Sequence, residues 1–182
     1  MEINVIDWLI PVGATNRSGE LRQPTYITIH ECSLGTGKTP SSYNREYYIH
    51  LMEKPKVKKS GYHYLVTDTE VIRFIPDDEI AIHAGTYFGN LRSIGIERLV
   101  NVDVNFEKAI SIQAKLAATL MKKWNIPISN VVSHKYWSGK GCPARLLAGQ
   151  NRGWKKGFIP QVQHYFESQD FFREVLENNF AG

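Results

Sequence analysis

The chain has 182 residues, of which 42% are hydrophobic and 22% are charged, and its formal net charge is +4. This composition is typical of a water-soluble globular domain, and the length is sufficient for one hydrophobic core. A membrane-inserted protein is disfavoured because no apolar run approaches the roughly 20 residues of a transmembrane helix, and a nucleic-acid-binding protein because no known binding motif accompanies the mild charge.

The first predicted elements are a strand and a helix joined by a loop. Tyr26–His30 alternates apolar and polar side chains and contains β-branched residues, which predicts a strand that ends at its histidine. Residues 34–42 are rich in Gly, Thr, Ser and Pro and are predicted to form a loop. Ser41 or Ser42 is expected to cap a helix that ends near Glu53.

A hairpin, a strand and a long helix are predicted next. Residues 61–67 and 71–75 flank a short polar turn and predict the hairpin, and residues 93–99 predict a further strand. From residue 105 to 124, apolar side chains recur at steps of three and four residues, which predicts a helix with one face on the core. A second amphipathic stretch lies within residues 158–182 and predicts either a C-terminal helix docked on the domain or the start of a linker.

Three other features favour structural interpretations. Gly35–Thr39 ends like a phosphate-binding loop, but the first glycine of that motif would fall at Cys32. The basic run Lys54–Lys59 is typical of a solvated surface loop, with attraction to an anionic polymer as the alternative. Cys32 and Cys142 are too few for a disulfide-rich scaffold, so a disulfide is disfavoured and Cys32 is interpreted as a packed thiol.

The segment from residue 131 to 143 carries the strongest chemical signal. Its first four residues predict a buried strand that ends at His134, and seven residues separate His134 from Cys142. Pro143 disfavours helix for Cys142, which is therefore expected in a loop, and Lys140 lies between the two. An imidazole, a thiolate and a fixed cation indicate metal-assisted catalysis.

Five motifs occur in a characteristic order between residues 26 and 147. They are Ile-Thr-Ile-His, Gly-Tyr-His-Tyr-Leu-Val, His-Ala-Gly, Ser-Ile-Gly-Ile-Glu, and a histidine followed after seven residues by Cys-Pro. With this set the chain resembles the type-2 N-acetylmuramoyl-L-alanine amidases, a family that includes phage endolysins, bacterial autolysins and animal peptidoglycan recognition proteins. Residues 126–143 look especially like endolysin catalytic domains from phages of Gram-positive bacteria.

The resemblance implies an α/β fold: a single domain with a central mixed β-sheet flanked by α-helices and a zinc site in a surface groove. The catalytic domain would span residues 1–157. The implied reaction is hydrolysis of the amide between N-acetylmuramic acid and L-alanine of the stem peptide, by a bacteriolytic monomer whose partner is cell-wall peptidoglycan. A peptidoglycan-binding module without activity and a cytoplasmic amidase that recycles anhydromuropeptides are the alternatives.

The N-terminal sequence suggests where such an enzyme would be made. Met1–Asp7 has no basic stretch before an apolar run, so no signal peptide is expected. Synthesis in the host cytoplasm, followed by action on the wall after release, is the corresponding expectation.

The resemblance also implies a set of metal ligands. His30, His134 and Cys142 match the family residues that bind one catalytic Zn²⁺ ion. Three protein ligands leave a fourth position open for water, which is the arrangement of a catalytic zinc site rather than a structural one.

Four further residues match functional positions of the family. Glu97 corresponds to a general base, and Lys140 to a lysine that stabilises the oxyanion. Tyr62 corresponds to a tyrosine that assists catalysis or contacts substrate, and His83 to a position that lines the substrate groove. The family often has tryptophan before this histidine, whereas this chain has Ile82, so an aromatic wall contact is in doubt there.

Overall fold

The protein is described here by a computed structural model covering residues 3–32, 38–54 and 60–168. Within them six strands form one sheet in the order β1-β4-β3-β5-β2-β6. The strands are β1 (Val5–Asp7), β2 (Tyr26–Ile29), β3 (Tyr64–Val66), β4 (Val71–Arg73), β5 (Ser93–Arg98) and β6 (Val131–Ser133). The β3–β4 pair is antiparallel and the other neighbouring strands are parallel, so the predicted mixed sheet is confirmed.

Helices of very different length surround the sheet. They are α1 (Arg45–Glu53), α2 (Tyr87–Arg92), α3 (Phe106–Trp124), α4 (His134–Ser138), α5 (Ala144–Leu147) and α6 (Ile159–Glu167). Short 3₁₀ turns occur at Ile128–Asn130 and Gln150–Arg152, and a π-helical turn at Trp154–Phe158. In the part of the chain that the structure describes, no helix has the length and apolar character needed to cross a membrane.

The longest helix, α3, was predicted from its apolar stripe and is confirmed within one residue. The side chain of Asn105 accepts a hydrogen bond from the Lys108 backbone N–H and so caps the N-terminus. At the other end Asn125 adopts the left-handed conformation (φ 52°), and its backbone N–H bonds back to the last turn. Local capping and periodicity agree, which explains why this element is readable from sequence.

The core lies on both faces of the sheet. On one face, buried strand residues such as Ile29 and Ile96 pack against the apolar stripe of α3. On the other, Leu65 and Ile72 pack with Met52 of α1. Strand alternation produces these two sets, because successive side chains point to opposite faces.

Helix α6 accounts for part of the predicted C-terminal stretch. It packs on α3, with Val162 fully buried and the Tyr165 hydroxyl 2.6 Å from Oγ of Ser111. The remainder of that stretch, residues 169–182, lies outside the described residues, as do residues 33–37 of the phosphate-loop-like motif and residues 55–59 of the basic run.

Several local predictions were wrong. The side chain of Asn44, rather than Ser41 or Ser42, caps α1; asparagine is as good a cap as serine. Strand β6 ends at Ser133, so His134 is the first residue of α4 and not the last of a strand. Helices α2, α4 and α5 and strand β1 were not predicted, because elements this short depend on tertiary contacts.

A buried ionic network connects β2, β5 and α5. The Arg98 guanidinium donates to Glu31 Oε2 at 2.8 Å and to the amide oxygen of Gln113 at 3.0 Å. The backbone N–H of Arg145 donates to Glu31 Oε1 at 2.9 Å. The side chains of Glu31 and Arg98 are both fully buried. Glu31 therefore ties the end of β2 to the segment that follows Cys142.

We expect Glu31→Gln to lower the free energy of unfolding by about 3–5 kcal/mol, because it leaves the buried Arg98 guanidinium without its counter-charge. Equilibrium unfolding in urea measures this. The matched control is Asp7→Asn, which breaks the Arg73–Asp7 pair at the surface and should cost less than about 1 kcal/mol. Equal losses for the two variants would contradict the prediction.

Candidate metal centre

The sheet topology brings three potential metal ligands to one edge. The carboxyl ends of the parallel strands β2, β5 and β6 meet there, with His30 directly after β2 and His134 directly after β6. Cys142 completes the group, and one ligand atom from each residue lies within 4.8 Å of the others. All three side chains are buried. The structure thus brings together the three residues for which the sequence predicted metal binding.

The loop that carries Cys142 is held against α4 by backbone hydrogen bonds. Gly139 ends α4 at φ +76°, a left-handed conformation that favours glycine, and reverses the chain direction. The Lys135 N–H then donates to the Cys142 carbonyl at 3.2 Å, and the Cys142 N–H to the Lys140 carbonyl at 2.7 Å. This turn returns the thiol to the end of β2, where its Sγ lies 3.9 Å from His30 Nδ1.

The chemistry of the three residues fits a zinc ion. Two imidazoles and a thiolate are a donor set that zinc favours. Both ring nitrogens of His134 are buried, and within the described part of the chain neither makes a hydrogen bond of normal geometry. A buried polar group without a partner is costly, and a cation between the three side chains would provide one.

Burial also sets the protonation states of the ligands. It lowers the pKa of His30 well below its ordinary value, and it lowers the pKa of His134 to about 4, with the Lys140 ammonium adding to that shift and the Ala84 carbonyl opposing it. Both imidazoles are therefore neutral, as metal binding requires. Burial raises the pKa of the Cys142 thiol to about 12, so the thiolate would need a bound cation to be stable.

Glu97 lies beside the three ligands. Its Oε1 is 3.8 Å from His30 Nδ1, and its Oε2 accepts a hydrogen bond from the Cys32 thiol at 3.5 Å. Burial raises the pKa of Glu97 to about 7, with the Cys32 hydrogen bond and Lys140 acting in the opposite direction. A carboxyl group with a pKa near neutrality can both accept and return a proton.

A cavity of about 890 Å³ opens over this group of side chains. Its wall includes Tyr62, Ile82, His83 and Lys140, so each remaining residue of the predicted site also lies at the cavity. The Tyr62 hydroxyl is buried and makes no hydrogen bond among the described residues. Lys140 is exposed to solvent, yet its charge acts on His30, His134, Cys142 and Glu97 alike.

Two contacts in the site were not foreseen from the sequence. Cys32 is buried, as predicted, but it also donates to the Glu97 carboxylate. Gly95 allows His83 to lie against β5, since a Cβ at position 95 would stand 2.7 Å from the His83 ring. A glycine inside a strand is a signal of close approach, although it does not reveal the partner.

Comparison with known proteins gives a consistent result. The family model described as N-acetylmuramoyl-L-alanine amidase matches residues 20–145. Two Bacillus subtilis relatives are the N-acetylmuramoyl-L-alanine amidases XlyA (42% identical over 80% of this chain and 48% of XlyA) and CwlH (40% over 76% and 54%). The chain thus spans about half the length of the curated relatives it matches.

Solved structures are similar over nearly their whole length. The catalytic domain of XlyA has a TM-score of 0.73 at 38% identity, and a mutant endolysin from Bacillus subtilis has 0.77 at 36%. Each similarity covers 88% of this chain and 99% of the other.

Proposed function

The chain belongs to the N-acetylmuramoyl-L-alanine amidase family, and from this premise we propose that it is a zinc-dependent peptidoglycan hydrolase. It cleaves the amide between N-acetylmuramic acid and L-alanine of the stem peptide. The observation that carries the proposal is the grouping of His30, His134 and Cys142 within 4.8 Å, with the Glu97 carboxyl beside them.

His30, His134 and Cys142 hold the metal. A catalytic zinc ion supplies Lewis-acid polarisation of a substrate carbonyl and makes water more acidic. Three protein ligands leave a position open, which suits a catalytic site. The buried nitrogens of His134, which make no hydrogen bond of normal geometry to the described residues, support this assignment.

Glu97 is the general base. The Cys32 thiol engages Oε2, so Oε1 is the oxygen that faces the His30 ring and the reacting water. Oε1 accepts the proton when water attacks the lactyl carbonyl, and it returns a proton to the leaving amine of L-alanine. In the protein without metal, burial moves the pKa of Glu97 upward to about 7, toward the working pH at which an acid–base group is most efficient.

Lys140 stabilises the oxyanion that forms when the carbonyl is attacked. It lies on the cavity wall, and the charge of its ammonium group acts to lower the pKa of His134 and opposes the rise that burial causes in the pKa of Glu97. Tyr62 contacts the substrate, since its buried hydroxyl makes no hydrogen bond to the described protein and needs a partner.

We expect Lys140→Met to reduce kcat for wall hydrolysis by about 10²–10³-fold, the usual cost of losing one oxyanion donor. Turbidity of a cell-wall suspension, followed at saturating substrate, measures it. Lys135→Met is the matched control, because Lys135 is an exposed lysine of the adjacent helix that does not line the cavity. If K140M and K135M retain the same activity, Lys140 has no catalytic role.

The biological role that fits best is that of a phage endolysin acting on Gram-positive walls. The similarity to a Bacillus subtilis endolysin supports it. In this proposal residues 1–157 form the catalytic domain, and residues 158–182 form a docked helix or begin a linker; the packing of α6 on α3 supports docking. A peptidoglycan binder without activity would need neither the complete set of ligands nor the adjacent carboxyl group.

The experiment that tests the function uses purified Gram-positive cell walls and zinc-loaded protein. We expect new amino termini of L-alanine to appear without new reducing sugars, and a chelator to abolish their release. A soluble anhydromuropeptide serves as the second substrate, and its preferential hydrolysis would assign a recycling amidase instead. Failure to release amino termini from either substrate would refute amidase activity.

A further inference from the structure

His83 connects His30 to the backbone of β5 through both of its ring nitrogens. Its Nε2 lies 3.2 Å from the Ser93 carbonyl oxygen, and its Nδ1 lies 3.0 Å from His30 Nε2. A carbonyl oxygen can only accept a hydrogen bond, so the proton of the His83 ring is on Nε2. Nδ1 of the neutral ring then carries a lone pair and acts as an acceptor.

The tautomer of His30 follows from this arrangement. Because Nδ1 of His83 accepts, Nε2 of His30 must donate and therefore carries the His30 proton. Nδ1 of His30 is left bare. This Nδ1 atom lies on the side of the candidate metal centre, 3.9 Å from Cys142 Sγ and 3.8 Å from Glu97 Oε1.

We propose that His83 is a positioning residue that holds His30 in the Nε2-protonated tautomer and so presents its bare Nδ1 to the metal. The inference rests on the proposed metal site. It assigns His83 a role different from the substrate contact that the family resemblance implied, since both of its ring nitrogens already bond to protein groups.

Neighbouring groups hold His83 in place. Both His83 and Ala84 donate their backbone N–H groups to Oδ1 of Asn90, at 2.9 and 2.8 Å. Gly95 provides the space beneath the ring, because any Cβ there would stand 2.7 Å from it. The ring planes of His30 and His83 are nearly perpendicular, at 84°.

A histidine ligand is commonly oriented in this way by a group bonded to its second nitrogen, and loss of such a group typically costs about 10–100-fold in metal affinity. We therefore expect His83→Ala to weaken Zn²⁺ binding by about 10–100-fold in competition with a chromogenic chelator. His83→Asn should recover most of the affinity, because its Oδ1 lies where Nδ1 of histidine lies and can accept from His30. His164→Ala is the control, since His164 is exposed on α6, and should bind zinc like the unaltered protein.

A second measurement needs no substitution. Nitrogen-15 NMR of the metal-free, histidine-labelled protein reports which ring nitrogen of each histidine carries the proton. We expect Nε2 for both His30 and His83. A His30 proton on Nδ1, or equal zinc affinity in H83A and the unaltered protein, would overturn the inference.

Neither zinc affinity nor the protonation pattern seen by NMR depends on hydrolysis. The role of His83 can therefore fail or hold independently of the proposed amidase function. Protein that binds zinc through this arrangement but leaves cell walls intact would refute the proposed function alone. Protein that hydrolyses walls while H83A retains full zinc affinity would refute only the role of His83.

Discussion

Glu97→Gln is expected to reduce wall hydrolysis by about 10²–10⁴-fold while zinc stays bound, because glutamine preserves the shape of the side chain but cannot accept a proton. The hydrogen bond between Cys32 and Glu97 can be kept in this variant. Cys32 donates to Oε2, and the amide of glutamine can keep an oxygen at that position. The folded structure should therefore be retained, and the loss should be confined to kcat.

The measurement is the release of L-alanine amino termini per unit time, with bound zinc determined on the same samples by mass spectrometry. Glu107→Gln is the matched control, since Glu107 is an exposed carboxylate in the first turn of α3. It should retain full activity. An E97Q variant within tenfold of the unaltered protein would exclude Glu97 as the general base, and one that has lost its zinc would point to a structural role.

Cys142→Ser is expected to remove both the bound zinc and the activity. Cys142 supplies the one sulfur ligand, and a serine hydroxyl at the same position is not a ligand of comparable strength. His30 and His134 alone would leave an incomplete set. The bound zinc should fall to background in mass spectrometry, and wall hydrolysis should fall with it.

The chain provides its own control, because Cys32 is its other cysteine and is equally buried. Cys32→Ser keeps a donor for Glu97 and should retain zinc. If C142S and C32S bind the same amount of metal, Cys142 is not a ligand. Equilibrium unfolding of both variants separates loss of metal from loss of fold.

Glu97→Gln and Cys142→Ser both test residues whose roles the sequence alone could propose. His30, His134 and Cys142 are recognisable because their residue types and their order match a known family. The fold was predictable to a similar degree. The stripe of α3 encodes a buried face locally, and the caps of α3 agree with its periodicity.

Short elements were beyond prediction for a physical reason. Helix α4 has five residues and is too short to be stable alone. It is held by tertiary contacts: Trp137 donates its indole N–H to Thr28 at 2.8 Å and packs on Tyr26. Those contacts join segments more than 100 residues apart, so no local pattern could indicate that His134 begins a helix.

The sequence by itself determined the donor types, the family and the order of the main strands and helices, because each motif and each main element is recognisable from residues close together in the chain and the motifs follow a known order. Only the tertiary structure decided what touches the donors. The Cys32–Glu97 hydrogen bond spans 65 residues and the His30–His83 hydrogen bond spans 53. The first depends on the pairing of β2 with β5, and the second also depends on how the loop before α2 places His83 against Gly95. Strand register and tertiary packing set these distances, and both bring together segments that lie far apart in the chain.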